Sequence, residues 1–175
     1  MKTIGIIGLG LIGGSLAKSI RKACPEARIL AYSPHSKSSL AAALSEGVLD
    51  GILEARDIRF SECDYIFLCG PVEANLEYLA YFKDAIPASC ILSDVGSVKG
   101  IIHDKVRELG LASRFIGGHP MAGSERTGYE NSSELLLENA YYILTPGEEI
   151  PITVLSDFTE LITGLGALPI VLTPE

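Results

Sequence analysis

The sequence feature that most constrains the fold is a glycine-rich stretch close to the N-terminus, GLGLIGG at residues 8–14. It directly follows an apolar run, residues 3–7, of the kind that forms a strand buried on both faces of a parallel sheet. Gly8 permits a sharp turn, Gly10 allows the backbone to approach a pyrophosphate, and Gly13 allows the next helix to pack closely on the strand. The phosphates would then lie at the positively polarised N-terminus of that helix. The stretch therefore predicts a dinucleotide-binding site.

Glycine spacing alone is weak evidence, because 18 glycines in 175 residues also produce such triplets in ordinary turns. The context is more specific, since apolar residues recur at helical spacing after the loop. These residues are Leu11, Ile12, Leu16, Ile20 and Ala23. The alternative is a glycine-rich structural turn. The candidate cofactor-binding residues of the loop are Gly8, Gly10, Leu11, Ile12 and Gly13.

The end of the second predicted strand, residues 27–32, bears on which dinucleotide is bound. In many such units an Asp or Glu at this position accepts hydrogen bonds from the adenosine ribose of NAD. No acid follows the strand here, whereas Ser33, His35 and Lys37 offer hydroxyl groups and positive charge to the 2′-phosphate of NADP. The sequence therefore favours NADP over NAD. The alternative is a plain loop in which Ser36 caps the next helix.

The rest of the chain alternates between helical and strand patterns. Helices are predicted over 39–46, 73–85, 98–109 and 152–165, and strands over 65–69, 90–93, 114–118, 139–145 and 168–172, with 48–53 as a candidate third strand and 60–64 as a connection. This alternation predicts an α/β protein with a doubly wound, mostly parallel sheet of the Rossmann type. We expect residues 1–175 to form one NAD(P)-binding domain.

Three further groups of residues follow predicted strands, where the ligand crevice of such a sheet lies. Cys69, Gly70 and Pro71 would lie against the middle of the cofactor, or would form an ordinary strand-to-helix turn. Ser97 precedes the helix over 98–109 and is equally explained as its cap. His119 is flanked by glycine and proline with no core pattern around it, and imidazole exchanges protons near neutral pH.

Composition excludes several classes of function. The net charge of −8 and the pI near 4.9 argue against a nucleic-acid partner. The four cysteines show no CxxC spacing and indicate reduced, structural thiols, and nothing points to a metal site. No apolar run reaches the length of a membrane span, so no membrane partner is expected and the expected compartment is the cytosol.

Four segments together resemble the prephenate dehydrogenase family, which includes arogenate and cyclohexadienyl dehydrogenases. They are GLGLIGGS at 8–15, DVGSVK at 94–99, GHPMAG at 118–123 and NAYYILTP at 139–146. The resemblance covers nearly the whole chain. The glycine loop is shared with many dehydrogenases, whereas the HPMAG segment is specific to this family.

The resemblance implies an oxidative decarboxylation of prephenate to 4-hydroxyphenylpyruvate, or of arogenate to tyrosine, in tyrosine biosynthesis. By analogy, His119 accepts the hydrogen bond of the ring hydroxyl, Ser97 holds that hydroxyl near the nicotinamide, and Glu125 lies in the substrate region. Family members continue into a helical domain that forms a homodimer, and we expect that domain to be absent here. The chain alone should then bind dinucleotide with little or no activity. Alternatives are a related dehydrogenase of the β-hydroxyacid type and a non-catalytic dinucleotide-binding module.

Overall fold

The computed structural model describes residues 1–173 and confirms the α/β class, with strands and helices alternating along the chain. The strands are β1 (Thr3–Ile7), β2 (Arg28–Tyr32), β3 (Gly51–Ile52), β4 (Tyr65–Leu68), β5 (Ile91–Asp94), β6 (Ile116–Pro120), β7 (Tyr141–Pro146) and β8 (Leu168–Val171). The helices are α1 (Leu11–Ala23), α2 (Lys37–Ser45), α3 (Val72–Ala85), α4 (Gly100–Glu108) and α5 (Ile152–Gly164). Short 3-10 helices span Ile58–Glu62 and Tyr129–Asn131.

The sheet has the doubly wound order that the sequence predicts. Five parallel strands lie in the order β3-β2-β1-β4-β5, so that the chain winds outward in both directions from β1. Beyond β5, a parallel bridge between Leu92 and Phe115 leads into β6. There β6 pairs antiparallel with β7, which pairs parallel with β8. The strand order reverses at β1, and ligands of such sheets bind at the carboxyl ends of the strands on either side of that point.

The core lies on both faces of the sheet, because the parallel strands are apolar on both sides. On β4, Tyr65 and Phe67 point to one face and pack against Phe158 of α5, with ring centroids 5.6 and 5.8 Å apart. Ile66 and Leu68 point to the opposite face, which α3 and α4 cover. Every residue of β1 and of β4 is buried, so these two strands form the centre of the core.

Several predicted boundaries are wrong at the ends of elements. The candidate strand over 48–53 is reduced to β3, because the N–H groups of Val48 and Leu49 turn back to the carbonyl oxygen of Ala43 at the end of α2. Part of the predicted connection over 60–64 lies in the 3-10 helix Ile58–Glu62. Ser36 does precede α2 but makes no side-chain capping hydrogen bond.

Ser97 does not cap a helix, so the alternative interpretation of this residue as a helix cap is wrong. Helix α4 begins at Gly100 rather than at residue 98, and its N-cap residue is Lys99. The strand predicted over 114–118 instead forms β6, which runs through His119 to Pro120 because β6 pairs with β7 as far as Tyr142.

We predict that Gly13→Ala destabilises the fold. A Cβ atom on Gly13 would lie 1.9 Å from the carbonyl oxygen of Gly8, so α1 would have to move away from the end of β1. Overpacking of this kind costs about 1–3 kcal/mol. The matched control is Gly164→Ala at the end of α5, where no described atom outside the adjacent turn of the helix lies within 4 Å of the added carbon. Urea unfolding should show the loss for Gly13→Ala alone, and equal stability of both variants would contradict the packing argument.

Candidate functional site at the carboxyl ends of the strands

The glycine loop has the geometry that a pyrophosphate cradle needs. Gly8 has a φ of +95°, and a Cβ atom there would lie 2.8 Å from the carbonyl group of Cys69. Gly10 precedes α1, and a Cβ atom there would meet no described atom within 4 Å beyond its two chain neighbours. No side chain of the described residues caps α1. The N–H groups of Leu11 and Ile12 in the first turn are therefore available to an anion, so the loop fits the dinucleotide phosphates.

Another glycine of this stretch, Gly14, has a packing role that the sequence analysis did not predict. A Cβ atom there would lie 2.7 Å from the ring of Tyr129 and 2.8 Å from the hydroxyl of Ser132. The Lys18 ammonium lies 4.4 Å from the centroid of the Tyr129 ring and donates to the Ser132 carbonyl at 3.1 Å. The Tyr129 hydroxyl in turn donates to Glu46 at 2.7 Å. The chain that follows the HPMAG segment is thus held directly on the glycine-loop helix.

A cavity of about 490 Å³ lies beside the end of β2, where the adenosine of a dinucleotide would bind. It is lined by Tyr32, Ser33, Pro34, Lys37, Leu40, Ile52, Leu53, Glu54 and Ala55. Ser33 is buried, and its hydroxyl oxygen accepts a hydrogen bond from the Leu9 N–H at 3.1 Å. Lys37 is exposed at the cavity wall, whereas His35 is exposed outside the lining. Ser33 therefore ties β2 to the glycine loop, and Lys37 is the cation at the cavity.

The turn at Cys69, Gly70 and Pro71 lies against the glycine loop, since a Cβ atom on Gly8 would meet the Cys69 carbonyl and the Gly70 nitrogen. The Cys69 N–H donates to the carbonyl oxygen of Ile7 at 2.7 Å, which continues the pairing of β4 with β1. Pro71 is the N-cap residue of α3. Burial raises the pKa of the Cys69 thiol, so this group is uncharged at neutral pH.

A buried ion pair lies at the carboxyl end of β5, and its carboxylate is also hydrogen-bonded to β6. Asp94 is 1% exposed, and its carboxylate accepts hydrogen bonds from the Gly118 N–H at 3.2 Å and the Gly96 N–H at 3.3 Å. The ammonium group of Lys99, also buried, donates to the same carboxylate at 2.5 Å. Burial lowers the pKa of Lys99, while the charge of Asp94 opposes that shift. The Asp94 carboxylate thus holds Gly118, the residue before His119, against β5. The sequence analysis did not predict this role.

The structure places the three predicted catalytic and substrate residues at one end of the sheet. His119 lies within β6, partly buried and opposite Ile143 of β7. Ser97 is exposed in the loop after β5, and Glu125 is exposed in the loop after β6. Because β5 and β6 run parallel, Ser97 and His119 share the edge that carries the glycine loop. No hydrogen bond joins any two of these three side chains in the described part of the chain.

The three arginines in the second half of the chain differ in whether their guanidinium groups already have hydrogen-bond or ion-pair partners. Arg114 donates to the carbonyl oxygens of Lys83 and Pro87 at 2.8 and 3.1 Å, and thereby ties α3 to the start of β6. Arg107 pairs with Glu148 at 3.3 Å on the surface. Arg126 is exposed beside Glu125, in the loop after β6. Of these three cations, Arg126 alone lies in the loop next to the candidate site.

This chain matches the family described as "Prephenate dehydrogenase, nucleotide-binding domain" over residues 16–171. It belongs to the prephenate dehydrogenase family. The prephenate dehydrogenase of Bacillus subtilis strain 168 is 37% identical over 176 residues, which cover 99% of this chain and 47% of that protein. The resemblance that the motifs indicated is thus confirmed over nearly the whole chain.

Solved structures of the same family have the same fold. The arogenate dehydrogenase of Synechocystis aligns with a TM-score of 0.89 and 31% identity, covering 98% of this chain and 60% of that one. The prephenate dehydrogenase of Aquifex aeolicus, in complex with hydroxyphenyl propionate and NAD+, aligns with a TM-score of 0.89 and 28% identity, covering 99% and 60%. The chain spans about half the length of the curated relatives it matches.

Within residues 1–173, no group of three or more His, Cys, Asp or Glu side chains is placed to hold a metal ion. None of the helices in that part of the chain combines the length and apolar character needed to cross a membrane.

We predict that Asp94→Asn is strongly destabilising, because the substitution leaves the buried Lys99 charge without its partner. Removing one partner of a buried pair costs about 3–5 kcal/mol. The matched control is Glu62→Gln, which breaks the exposed pair of Glu62 with Arg28 at 3.3 Å and should cost about 0–1 kcal/mol. Urea unfolding measures both variants. A loss for Asp94→Asn no greater than that of the control would show that the pair does not support the junction of β5 and β6.

Proposed function

We propose that this chain is the nucleotide-binding part of an NAD(P)-dependent dehydrogenase that oxidatively decarboxylates prephenate or arogenate in tyrosine biosynthesis. The observation that carries the proposal is the position of His119 in a member of this family, on β6 at the edge of the sheet that carries the glycine loop. The solved relatives named above are a prephenate and an arogenate dehydrogenase, and one of them is a complex with NAD+.

The dinucleotide is proposed to lie along the carboxyl ends of the strands. Its pyrophosphate would contact the N–H groups of Gly10 to Gly13, and its adenosine would fill the cavity beside β2. The nicotinamide half would pass Cys69, Gly70 and Pro71 toward His119. When bound, the nicotinamide supplies the acceptor for the hydride.

The side chains at β5 and β6 then have distinct roles toward the substrate. Loss of hydride builds positive charge on the carbon that bears the ring hydroxyl, and a neutral His119 imidazole lowers the barrier by accepting the hydroxyl proton. The Ser97 hydroxyl would hold the same oxygen in place, and Glu125 would line the substrate region. The departing carboxylate leaves as CO2 as the ring becomes aromatic.

The relatives are about twice as long as this chain. We assign the remaining contacts to the substrate to that further part of the enzyme. The substrates carry two carboxylates, whereas Arg126 is the one late cation in the loop next to His119. We propose that the further cationic contacts and the homodimer interface come from a helical domain, and that the chain alone turns over little substrate because those contacts position it. All four cysteines are free, which supports a reducing, cytosolic setting.

Two alternatives make different predictions about turnover. A dehydrogenase of the β-hydroxyacid type would oxidise an aliphatic hydroxyacid, and a non-catalytic module would bind dinucleotide without oxidising any of these substrates. Neither accounts for a histidine on β6 within HPMAG. Assays of the full-length enzyme with prephenate, with arogenate and with an aliphatic β-hydroxyacid separate all three.

In the full-length enzyme, we predict that His119→Asn lowers kcat by roughly 10²- to 10⁴-fold, because an amide can fill the same space but cannot take up the proton. The dissociation constant for the dinucleotide should stay the same, since His119 is assigned to the substrate. Steady-state kinetics and a cofactor titration measure the two quantities. A variant with near-normal kcat would reduce His119 to a structural residue.

We also predict that the chain binds NADP at least tenfold more tightly than NAD. The reason is charge: Lys37 at the cavity wall can contact the 2′-phosphate, and one hydrogen bond to a charged group contributes about 1.5–3 kcal/mol. Calorimetric titration of the 175-residue chain with each cofactor tests this. Equal affinities, or tighter binding of NAD, would remove the preference.

A further inference from the structure

The adenosine cavity contains an acid that the end of β2 lacks. Glu54 follows β3 and lines the same cavity as Ser33 and Lys37. We propose that Glu54 is a specificity-determining residue: its carboxylate favours the free ribose hydroxyls of NAD and opposes the 2′-phosphate that Lys37 favours. This inference rests on the proposed dinucleotide site and concerns which of the two cofactors that site selects.

The strand register places Glu54 beside the position where an acid would select NAD. Ile52 of β3 pairs with Ala31 of β2, and the Leu53 N–H continues the ladder by donating to the Ala31 carbonyl at 2.7 Å. Glu54 is two residues past Ile52, just as Ser33 is two residues past Ala31. Adjacent strands are about 4.8 Å apart, so Leu53 lies about one strand spacing from β2, and Glu54 is the next residue. The acid therefore comes from the neighbouring strand.

The turn that carries Glu54 is held on both sides. The Glu54 N–H donates to the Asp57 carboxylate at 3.0 Å, and that carboxylate pairs with Arg59 at 2.9 Å. The Arg59 guanidinium holds the pKa of Asp57 well below its usual range, so Asp57 stays ionised and neutralises Arg59. The Tyr78 hydroxyl donates to the carbonyl of the next residue, Ala55, at 2.9 Å. A fixed backbone thus presents Glu54 at the cavity.

The Glu54 carboxylate has no partner among the described residues, so it is available to a ligand. Its side chain is exposed and makes no hydrogen bond or ion pair with any residue in 1–173. Lys37, the first residue of α2, is likewise exposed and lines the cavity from the β2 side. A 2′-phosphate in this cavity would meet both charges, so they act in opposite directions on the same group. A vicinal diol could instead donate hydrogen bonds to Glu54.

The test is a calorimetric titration of the 175-residue chain with NAD+ and with NADP+, comparing four proteins by the ratio of the two affinities. Glu54→Gln should raise the NADP-to-NAD ratio roughly tenfold, by strengthening NADP binding and weakening NAD binding. Lys37→Gln should lower the ratio by a similar factor. Glu54→Asp, which keeps the charge, should stay close to the parent chain.

The matched control is Glu77→Gln, which removes the same charge from the adjacent cavity lined by Ala55, Tyr78 and Tyr81. It should leave the ratio within about twofold, because exposed charges beyond the direct contact are screened by salt. An unchanged ratio in Glu54→Gln, or an equal rise in Glu77→Gln, would overturn the role of Glu54 while leaving the dinucleotide site intact. A parent chain that binds neither cofactor would overturn the site and this inference together.

Discussion

The N-terminus of α1 can lie against the ends of β1 and β4 only because Gly8 and Gly13 carry no side chains. Any Cβ atom at either position would collide with backbone atoms, of Cys69 in one case and of Gly8 in the other. This close contact brings the polarised end of a helix to the point where the strand order reverses. The turn at Cys69 and the cavity beside β2, which are the proposed contacts of the nicotinamide half and the adenosine, are arranged around it.

The other half of the site depends on a different kind of interaction. The junction of β5 and β6 is bridged by few backbone hydrogen bonds, and Asp94 and Lys99 add a buried charge pair at its carboxyl end. Asp94 also accepts the N–H of Gly118, and a Cβ atom on Gly118 would lie 2.6 Å from the Asp94 carbonyl oxygen. The strand that carries His119 is therefore held close to the strand before the Ser97 loop. Close backbone packing at glycines forms the proposed cofactor side of the site, and a buried ion pair supports the proposed substrate side.

The parts that the sequence predicts well are those encoded locally. An apolar run, a glycine turn and a helical period are each visible within a few residues, which is why the glycine loop and the doubly wound class were predictable. Element ends were less predictable, because they depend on partners: β6 continues through His119 only because β7 pairs with it. Two other contacts join residues that are distant in the sequence. Glu54 and Ser33 are 21 residues apart and are brought together by the pairing of β3 with β2. Asp94 and Gly118 are 24 residues apart and are joined by a hydrogen bond. Such contacts follow from strand register, and no local pattern reports them.

The most direct measurement is a crystal structure of this chain with a bound nicotinamide dinucleotide. The account predicts that the pyrophosphate accepts hydrogen bonds from the N–H groups of Leu11 and Ile12, that the adenosine lies in the cavity lined by Lys37 and Glu54, and that the nicotinamide ring reaches the edge of the sheet beside His119. A dinucleotide bound away from the glycine loop, or one whose nicotinamide points away from β6, would contradict it.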